Sequence, residues 1–386
     1  MQGSRRRLRG IGANGVWELR VHAGRNPVTG KPRYISRTVK GTAAVADEKL
    51  ADLVDEVTGG EHDGNDITFG ALLDRWLKHA TVIKDLSPTT VREYKRLIEK
   101  NIKPVLGQVP LRQIDGGVLV DFYVSLMSPE RGLSAASVKR CHSAIAAATK
   151  QAVKWKLIKG QDPALAATAP TVRTKAKEIP TVQQVQALIR RAEKDDTDMA
   201  AFIALAAVTG ARRGELCGLR WGDVDDELGT LTIERSYAVV GGEHIFKPTK
   251  THGVRCIALG DFGTDALRLH RERLEDRAKD AGVEITDETP ILTYDLENPI
   301  SPDTASHYVR EIAGQAKVDT HLHALRHFAA SQMIGSGQDV RTVAGRLGHA
   351  AASTTLKVYA HALPQRDRDA ADSLGGALPP KRRKQR

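Results

Sequence analysis

The beginning of the chain changes from an alternating to a helical hydrophobic pattern. Trp17, Leu19 and Val21 alternate with polar residues, and the stretch 33–40 is rich in residues that favour β-strands. Over residues 43–57 apolar side chains then recur every three or four positions, which predicts a helix. The sequence therefore predicts a small β-sheet followed by one helix.

The next stretch has helical periodicity throughout. Thr68, Ser87 and Ser134 each precede an amphipathic run, in the position where a hydroxyl caps the first turn of a helix. A proline follows Ser87 directly, which suits the first helical position. Polar segments at 59–66 and 166–177 flank this region and are predicted linkers. The pattern predicts a helical bundle between two linkers.

The rest of the chain mixes helical patterns with a few strands. Residues 197–209 are almost wholly apolar and are followed by Gly210, which predicts a buried helix that ends at a glycine. Residues 231–239 alternate like a single strand, and residues 254–259 predict a second one. The predicted fold class is multidomain α+β, with a sheet-plus-helix domain, a helical domain and a mainly α domain that contains a small sheet. The predicted domain boundaries are 1–65, 66–172 and 173–386.

Composition and charge add a candidate partner to this picture. The chain has 386 residues, of which 41% are apolar and 27% charged, and it is long enough for two or three domains with cores of their own. Its net charge is +11, and residues 1–40 hold ten basic side chains against the single acid Glu18. This bias favours a polyanionic partner such as nucleic acid. A solvated basic surface is an equally good interpretation of charge alone.

The candidate DNA-contacting residues are basic side chains of the first two predicted domains. The basic tail 381–386 is interpreted as a solvated end rather than a DNA contact. The candidates are Arg5, Arg6, Arg7, Arg20, Arg33 and Arg37 in the first domain, and Arg92, Lys95, Arg96, Lys139 and Arg140 in the second.

Cysteine usage and apolar runs exclude several classes of protein. Cys141, Cys217 and Cys256 form no CxxC pair, which argues against a disulfide framework or a zinc-thiolate site. No apolar run approaches the roughly 20 residues of a membrane span, and the arginine-rich start leads into no signal sequence. The sequence also contains no GxxxxGK[ST] motif for a nucleotide. We therefore expect a cytoplasmic protein without membrane association.

Two arginines stand directly after the predicted buried helix. Arg212 and Arg213 follow Gly210, and Glu215 comes three residues after Arg212. A buried arginine is costly unless it meets a carboxylate or the anion of a ligand. Taken alone, this segment favours a structural ion pair between arginine and Glu215, with anion binding as the alternative.

Histidines and an arginine form a second group of candidates. His323 and Arg326 are one turn apart on a predicted helix, an arrangement that suits an anion. His323 and His327 have the spacing of a metal pair, but no thiolate or suitably placed carboxylate accompanies them, so no metal is expected. His349 lies at the end of a helix predicted over 338–347, where the helix dipole favours a protonated imidazole.

In their order and spacing these segments resemble the motifs of the tyrosine recombinase (phage integrase) family. Each motif is weak alone, but five in the correct order across about 150 residues leave chance little room. Lys250, on a predicted hairpin tip, and Tyr359 belong to the set, although alone they resemble a solvated lysine and a packing tyrosine. The matching segments are Thr-Gly-Ala-Arg212-Arg213-Gly-Glu215-Leu for the first-arginine box, Lys250 for the β-hairpin lysine, His323-Ala-Leu-Arg326 for HxxR, Leu347-Gly348-His349 for LGH, and Tyr359 for the nucleophile.

The resemblance implies a role for each of these groups in DNA strand exchange. Tyr359 attacks a DNA phosphate and forms a 3′-phosphotyrosyl bond, Lys250 protonates the leaving 5′-oxygen, and His323 accepts a proton. No cofactor or metal is implied, because guanidinium groups hold the phosphate charge, and no ATP is needed for a nearly isoenergetic exchange. The phosphate-stabilising set is Arg212, Arg326 and His349, with Glu215 as the orienting residue.

The resemblance also implies partners. They are double-stranded DNA attachment sites, a homotetramer on two such sites, an excisionase and a DNA-bending host protein, with the chain at the nucleoid when it is bound to DNA. Residues 1–65 are similar in architecture to an arm-type DNA-binding domain and residues 66–172 to a SAM-like core-binding domain. Two alternatives from other classes are a type IB topoisomerase-like enzyme and a DNA-binding regulator that does not cleave.

Overall fold

The computed structural model of the chain describes residues 3–9, 15–58, 67–172, 179–249 and 253–348. The chain divides into two compact units, Met1–Thr174 and Lys175–Arg386. No helix in the described ranges is both long and apolar enough to cross a membrane.

The first unit begins with a three-stranded antiparallel sheet backed by one helix. The strands are β1 (Gly3–Arg9), β2 (Val16–Arg25) and β3 (Pro32–Lys40), in the order β1-β2-β3, and the helix is α1 (Ala43–Thr58). Leu19 and Val21 of β2 are fully buried against Ala46 and Leu53 of α1. The sequence predicted β2, β3 and α1 but gave no signal for β1, because its arginine run lacks an apolar alternation.

Helices form the rest of the first unit. The predicted caps at Thr68 and Ser134 are confirmed, because both side chains accept hydrogen bonds from backbone N–H groups in the first turns of their helices, as Asp115 also does. The predicted side-chain cap at Ser87 is wrong, since Ser87 Oγ caps no backbone N–H in the described first turn of its helix, although the helix does begin with Pro88. A common core contains Trp76 and Phe122, so the predicted helical bundle is present. The helices are α2 (Phe69–Val82), α3 (Pro88–Leu97), a π-helical turn (Ile98–Ile102), α4 (Lys103–Leu106), a 3₁₀ turn (Leu111–Gln113), α5 (Gly116–Met127), α6 (Ala135–Lys154) and α7 (Pro163–Ala166).

The sheet and the helices of the first unit touch at the turn between β2 and β3. Asn26 Nδ2 donates to Asp121 Oδ2 of α5 at 2.6 Å. Arg33 forms an ion pair with Asp115, the N-cap of α5, and its Nη1 donates to the carbonyl of Gln113 at 3.2 Å. The sheet therefore contacts the helical bundle directly.

The second unit is mainly helical and is built around one buried helix. Phe202, Ile203 and Leu205 of this helix, α9 (Thr197–Thr209), are fully buried. Three helices pack on it: α8 (Val182–Asp195), α11 (Gly260–Ala281) and α13 (Leu322–Gly335). Both ends of α9 fall where the apolar run predicts them. The helices of the unit are α8 (Val182–Asp195), α9 (Thr197–Thr209), α10 (Arg213–Cys217), α11 (Gly260–Ala281), α12 (Pro302–Gln315), α13 (Leu322–Gly335) and α14 (Val340–Leu347), with a 3₁₀ turn at Trp221–Asp223.

The strands of the second unit form two small sheets. One has the order β4 (Val224–Asp225), β5 (Thr230–Ile233), β8 (Arg255–Ala258), and the other is the hairpin of β6 (Arg235–Val240) and β7 (Glu243–Pro248). The prediction of one strand over 231–239 is wrong, because β5 pairs with β8 up to Ile233 whereas Arg235 already pairs with Pro248 of the hairpin. Leu231 and Ile233 keep the same alternation as Tyr237 and Val239, interrupted only by Arg235, so the pattern did not reveal the change of partner. The strands are β4 (Val224–Asp225), β5 (Thr230–Ile233), β6 (Arg235–Val240), β7 (Glu243–Pro248) and β8 (Arg255–Ala258).

We predict that the second unit depends on the packing of α9. Phe202→Ala removes a fully buried ring and is expected to destabilise the unit by about 3–5 kcal/mol. The matched control is Phe262→Ala in α11, since that ring is 56% exposed, and its expected effect is within about 0.5 kcal/mol. Chemical denaturation of both variants measures the difference, and equal effects would contradict the assignment of α9 as the centre of the core.

Candidate active site

The predicted catalytic residues divide into two groups with respect to the structure. Arg212, Glu215, His323 and Arg326 are described and lie in the second unit. The other candidates, Lys250, His349 and Tyr359, lie outside the described residues. The described part of the site therefore consists of the two arginine motifs and of the backbone that leads to His349.

Arg212 is placed by the sharp end of α9. Gly210 caps that helix in the left-handed conformation, with φ of +59°. A Cβ at Gly210 would lie 2.5 Å from Leu347 Cδ2 and 3.1 Å from the Ala329 Cβ, so a glycine is required on both grounds. Arg212 then adopts an extended conformation and becomes the N-cap residue of α10. Gly210 therefore allows the chain to turn so that Arg212 starts a new helix, which packs against β6 and α12.

Arg213 has different neighbours from Arg212. Its Nη1 donates to Ser306 Oγ at 2.9 Å and lies 3.1 Å from the Asp303 carboxylate, both on α12. Its side chain is about half exposed. The contacts of Arg213 thus support the register in which Arg212 is the active-site arginine.

Glu215 is a buried carboxylate that Arg212 contacts twice. Only 1% of its side chain is exposed. Arg212 Nη1 donates to Oε1 at 2.7 Å, and the Arg212 backbone N–H donates to Oε2 at 2.9 Å. Burial acts to raise the pKa of Glu215, but hydrogen bonds and charge from Arg255 and Arg212 outweigh it and hold the pKa below its usual value. Glu215 is therefore a carboxylate that fixes the Arg212 guanidinium.

Arg255 on β8 is a partner of Glu215 that the sequence analysis missed. Its Nη2 donates to Glu215 Oε2, and its Nε donates to the carbonyl of Arg346 at 3.0 Å. The residues of the ion pair are 40 positions apart, so no helical spacing points to the contact. One signal in the sequence was available. Arg255 stands in a predicted strand of the second half of the chain, and that half has no excess of basic residues that would explain it as part of a basic surface.

The C-terminal end of α14 is held by arginines. Arg212 Nη2 donates to the carbonyl of Gly348 at 2.6 Å, directly before His349 in the sequence. Arg346 Nη2 donates to the carbonyls of Val208 and Ala258, at 3.0 and 2.7 Å. The last carbonyls of a helix have no partners within the helix and carry partial negative charge, so cations are favourable there. These contacts bring the end of α14 to the first-arginine motif.

Helix α13 contributes the HxxR motif. Arg326 is only 4% exposed, and its Nη1 donates to the carbonyl of Gly210 at 2.7 Å, two residues before Arg212. His323 lies in the first turn of α13, is exposed, and its ring meets that of His327 with 4.8 Å between the centroids. Within the described ranges, no group of three or more His, Cys, Asp or Glu side chains is arranged to hold a metal ion.

The candidate DNA contacts of the sheet do not share one environment. Arg5 pairs with Asp47 of α1 and covers the Trp17 ring, and Arg33 pairs with Asp115. Burial lowers the pKa of Arg33. Arg7 and Arg37 lie opposite Trp17 and Leu19, on the face that α1 covers.

Arg6 and Arg20 lie on the other face of the sheet. They pair with Glu18 and Ser4 across the strands, and the Arg20 guanidinium stacks on the exposed Tyr34 ring at 4.0 Å from its centroid. The sheet therefore has a face that bears Arg6 and Arg20 and that α1 does not cover, which we call the open face of the sheet.

The candidate DNA contacts of the helical bundle lie on α3 and α6. Arg96 forms two hydrogen bonds of 2.9 Å with Glu93, and Arg140 lies 3.8 Å from the same carboxylate. Basic residues from two helices thus meet at one place on the bundle. The exposed members of this group are Arg92, Lys95, Arg96, Lys139 and Arg140.

Profiles of known families match two parts of the chain. The profile described as "Phage integrase family" matches residues 180–366, and "Phage integrase, N-terminal SAM-like domain" matches residues 68–127. The first match contains all seven predicted catalytic residues, and together the matches span more than half of the chain.

Individual proteins are similar over most of the chain. The ICEBs1 integrase of Bacillus subtilis (strain 168) is 26% identical over 368 residues, which are 95% of this chain and 98% of that protein. The tyrosine recombinase XerC of Xylella fastidiosa (strain 9a5c) is 29% identical over 304 residues, which are 75% of this chain and 92% of that protein.

Solved structures share the fold. The Tn1549 transposon integrase in complex with a circular intermediate DNA gives a TM-score of 0.68 at 20% identity, over 80% of this chain and 99% of that chain. A lambda integrase tetramer bound to a Holliday junction gives a TM-score of 0.59 at 22% identity, over 85% of this chain and 92% of that chain.

We predict that Glu215 makes stability depend on pH. Its pKa is lowered by folding, so its contribution is present above the usual value of 4.5 and is lost as the pH falls through the folded-state value. At neutral pH, Glu215→Gln is expected to cost about 3–5 kcal/mol, because two arginines lose their anionic partner. The gap between wild type and variant closes as the pH falls below about 4.5 and through the lower pKa of the folded state.

Chemical denaturation at several pH values measures this gap. The control is Glu272→Gln, which removes the partner of Arg268 on the exposed side of α11 and is expected to cost less than about 1 kcal/mol. A gap for Glu215→Gln that stays constant with pH would show that Glu215 is not ionised in the folded protein.

Proposed function

The chain belongs to the phage integrase family, and from this premise we propose that it is a site-specific DNA recombinase that cuts and rejoins DNA through a 3′-phosphotyrosyl intermediate. Its role is to integrate or excise a phage or another mobile element. One observation carries the proposal: Arg212 is fixed by the buried Glu215 and at the same time donates to Gly348, directly before His349. Motifs that are more than 130 residues apart are thereby joined.

The proposed chemistry is a transfer of the DNA phosphoryl group to a tyrosine and back. The Tyr359 phenol attacks the scissile phosphate, and the 5′-oxygen of the DNA leaves. His323 accepts the proton of the phenol, whose ordinary pKa is about 10, and Lys250 gives a proton to the leaving oxygen. Reversal by a 5′-hydroxyl of another strand rejoins the DNA without ATP.

Arginine side chains supply the stabilisation of the phosphate in this proposal. Charge on the nonbridging oxygens is met by the guanidinium groups of Arg212 and Arg326 and by His349. Arg212 is suited to this task because Glu215 holds its plane before any DNA is bound. The reaction is proposed to need no metal ion.

The domain assignments belong to the same proposal. Residues 1–65 are the arm-type DNA-binding domain, residues 66–172 the core-binding domain, and residues 173–386 the catalytic domain with a basic tail. The sheet with its open arginine face and the converging basic residues of α3 and α6 support the two DNA-binding assignments. The match of the SAM-like profile to residues 68–127 supports the second.

The proposed partners follow from the solved structures of similar proteins. The Tn1549 integrase is bound to DNA in its structure, and the lambda integrase forms a tetramer on a Holliday junction. We infer that this chain acts as a homotetramer on double-stranded attachment sites in the cytoplasm, with an excisionase and a DNA-bending host protein as further partners. No observation favours the topoisomerase or the non-cleaving regulator.

The first test is the substitution Tyr359→Phe. The variant is expected to bind attachment-site DNA with unchanged affinity and to form no covalent adduct, because it lacks the nucleophilic oxygen. A denaturing gel of radiolabelled DNA with a chelator present measures the adduct. The wild-type chain is the control, and an adduct with Tyr359→Phe would overturn the assignment of the nucleophile.

The second test removes charge from the open face of the sheet. The double variant Arg6→Ala/Arg20→Ala is expected to retain adduct formation on a short core-site duplex, because the chemistry belongs to the second unit. Its affinity for a full attachment site should fall, and the slope of log K against log salt should flatten by about 0.9 for each phosphate that the variant no longer neutralises.

A matched control for this test removes two exposed cations of α11, in Arg268→Ala/Lys279→Ala. Fluorescence anisotropy over a range of salt concentrations compares the two double variants. Equal salt slopes for both would show that the open face of the sheet does not contact DNA.

A further inference from the structure

Arg255 occupies a central place in the described part of the site, although no motif contains it. It lies at the start of β8, just after residues 250–252, and only 10% of its side chain is exposed. Its Nη2 donates to Glu215 Oε2, and its Nε donates to the carbonyl of Arg346. A single side chain thus joins β8, α10 and the end of α14.

The charges around Glu215 do not balance. Arg212 and Arg255 bring two positive charges to the one carboxylate that both contact. A fold that needed only a stable ion pair would be served by one arginine, since a surplus buried cation is costly. The surplus positive charge is useful where an anion binds, as a scissile phosphate does.

Arg255 also has hydrogen-bonding capacity to spare. Its Nη1 is buried and has no hydrogen-bond partner within the part of the chain that the structure describes. This nitrogen faces Gly348, where a Cβ would come to 3.0 Å from it, and Gly348 itself has φ of +67°. Gly348 therefore lets the guanidinium group lie directly against the backbone that precedes His349.

We propose that Arg255 is a positioning residue of strand cleavage, which holds the Glu215 carboxylate for Arg212 and the end of α14 for His349. The inference rests on the recombinase function proposed above. Arg255 Nη2 donates to Oε2 of Glu215, and Oε1 accepts a hydrogen bond from Arg212 Nη1. The hydrogen bond from Nε to Arg346 fixes the last turn of α14 at the same time.

The main test is Arg255→Gln in the full-length chain. We expect single-turnover cleavage of a nicked core-site duplex to slow by about 10²-fold, since a misplacement of about 1 Å in a catalytic group costs that much. DNA affinity should be unchanged, because Arg255 acts through Arg212 and the α14 backbone. Arg255→Lys should recover part of the rate, because it keeps the charge but cannot make both contacts.

The matched control is Arg277→Gln in the same unit. Arg277 Nη1 donates at 2.7 Å to Asp198, a carboxylate that is 4% exposed, so this variant also breaks an ion pair with a buried acid. It is expected to cleave within about twofold of wild type. Thermal melting of both variants shows whether each is folded. If Arg255→Gln has a clearly lower melting temperature than wild type, the cleavage rate of Arg255→Lys is compared with wild type instead.

A neutral substrate distinguishes positioning from a general loss of stability. Replacing a nonbridging oxygen of the scissile phosphate by a methyl group removes the charge that Arg212 stabilises. If Arg255 acts by positioning Arg212, the factor by which Arg255→Gln slows cleavage should be at least tenfold smaller on this methylphosphonate duplex. An equal deficit on both substrates would overturn the proposal.

A double-mutant cycle tests whether Arg255 acts through Glu215. Glu215→Gln combined with Arg255→Gln should slow cleavage little more than the slower single variant, because both remove the same constraint. Glu215→Gln combined with Arg277→Gln should show the product of the two single effects. If the rate effects of Glu215→Gln and Arg255→Gln multiply in the double variant, the proposal is also overturned.

The failure of this inference is distinguishable from failure of the proposed function. If the wild-type chain forms no covalent adduct with core-site DNA, the recombinase function is contradicted, and with it the role of Arg255. A wild-type chain that forms the adduct, with Arg255→Gln equally fast, contradicts the role of Arg255 alone.

Discussion

The site depends on one buried carboxylate, Glu215. An ionised carboxylate in the interior must be paired and hydrogen-bonded, so its position dictates where cations from other elements are placed. Arg212 reaches it from the start of α10, and Arg255 reaches it from β8. Two helices, a strand and the loop after α9 are thus oriented by a single acid. In the proposed reaction, the same acid holds the Arg212 guanidinium in place, so DNA binding does not have to order it.

The arginines use the carbonyl groups of helix ends as their second set of partners. Arg326 donates to Gly210 at the end of α9, and Arg212 donates to Gly348 at the end of α14. Such carbonyls are available because a helix leaves its last ones without internal partners. Left-handed glycines at both positions expose them and let side chains approach. The glycines at positions 210 and 348 are therefore explained by the hydrogen bonds that their conformation permits.

Local features of the site and fold were predictable from the sequence, and the long-range ones were not. The ends of α9, the cap at Ser134 and the spacing of Arg212 and Glu215 all depend on residues within four positions of each other. The Arg255 ion pair and the split of 231–239 into two strands depend on partners distant in sequence. Period and propensity describe one element at a time, so they carry no information about such partners.

Net charge does not show how many basic side chains are available to bind a ligand. The basic residues of the sheet were predicted as one set, but Arg5 and Arg33 are engaged with Asp47 and Asp115. Those ion pairs stabilise the packing of the sheet on α1 and α5 and withdraw charge from its surface. Arg6 and Arg20 lie on the opposite face, where the alternation of a strand separates them from their neighbours. The strand register therefore decides which arginines remain for a polyanion, and it does so through the same apolar residues, Leu19 and Val21, that hold the sheet on its helix.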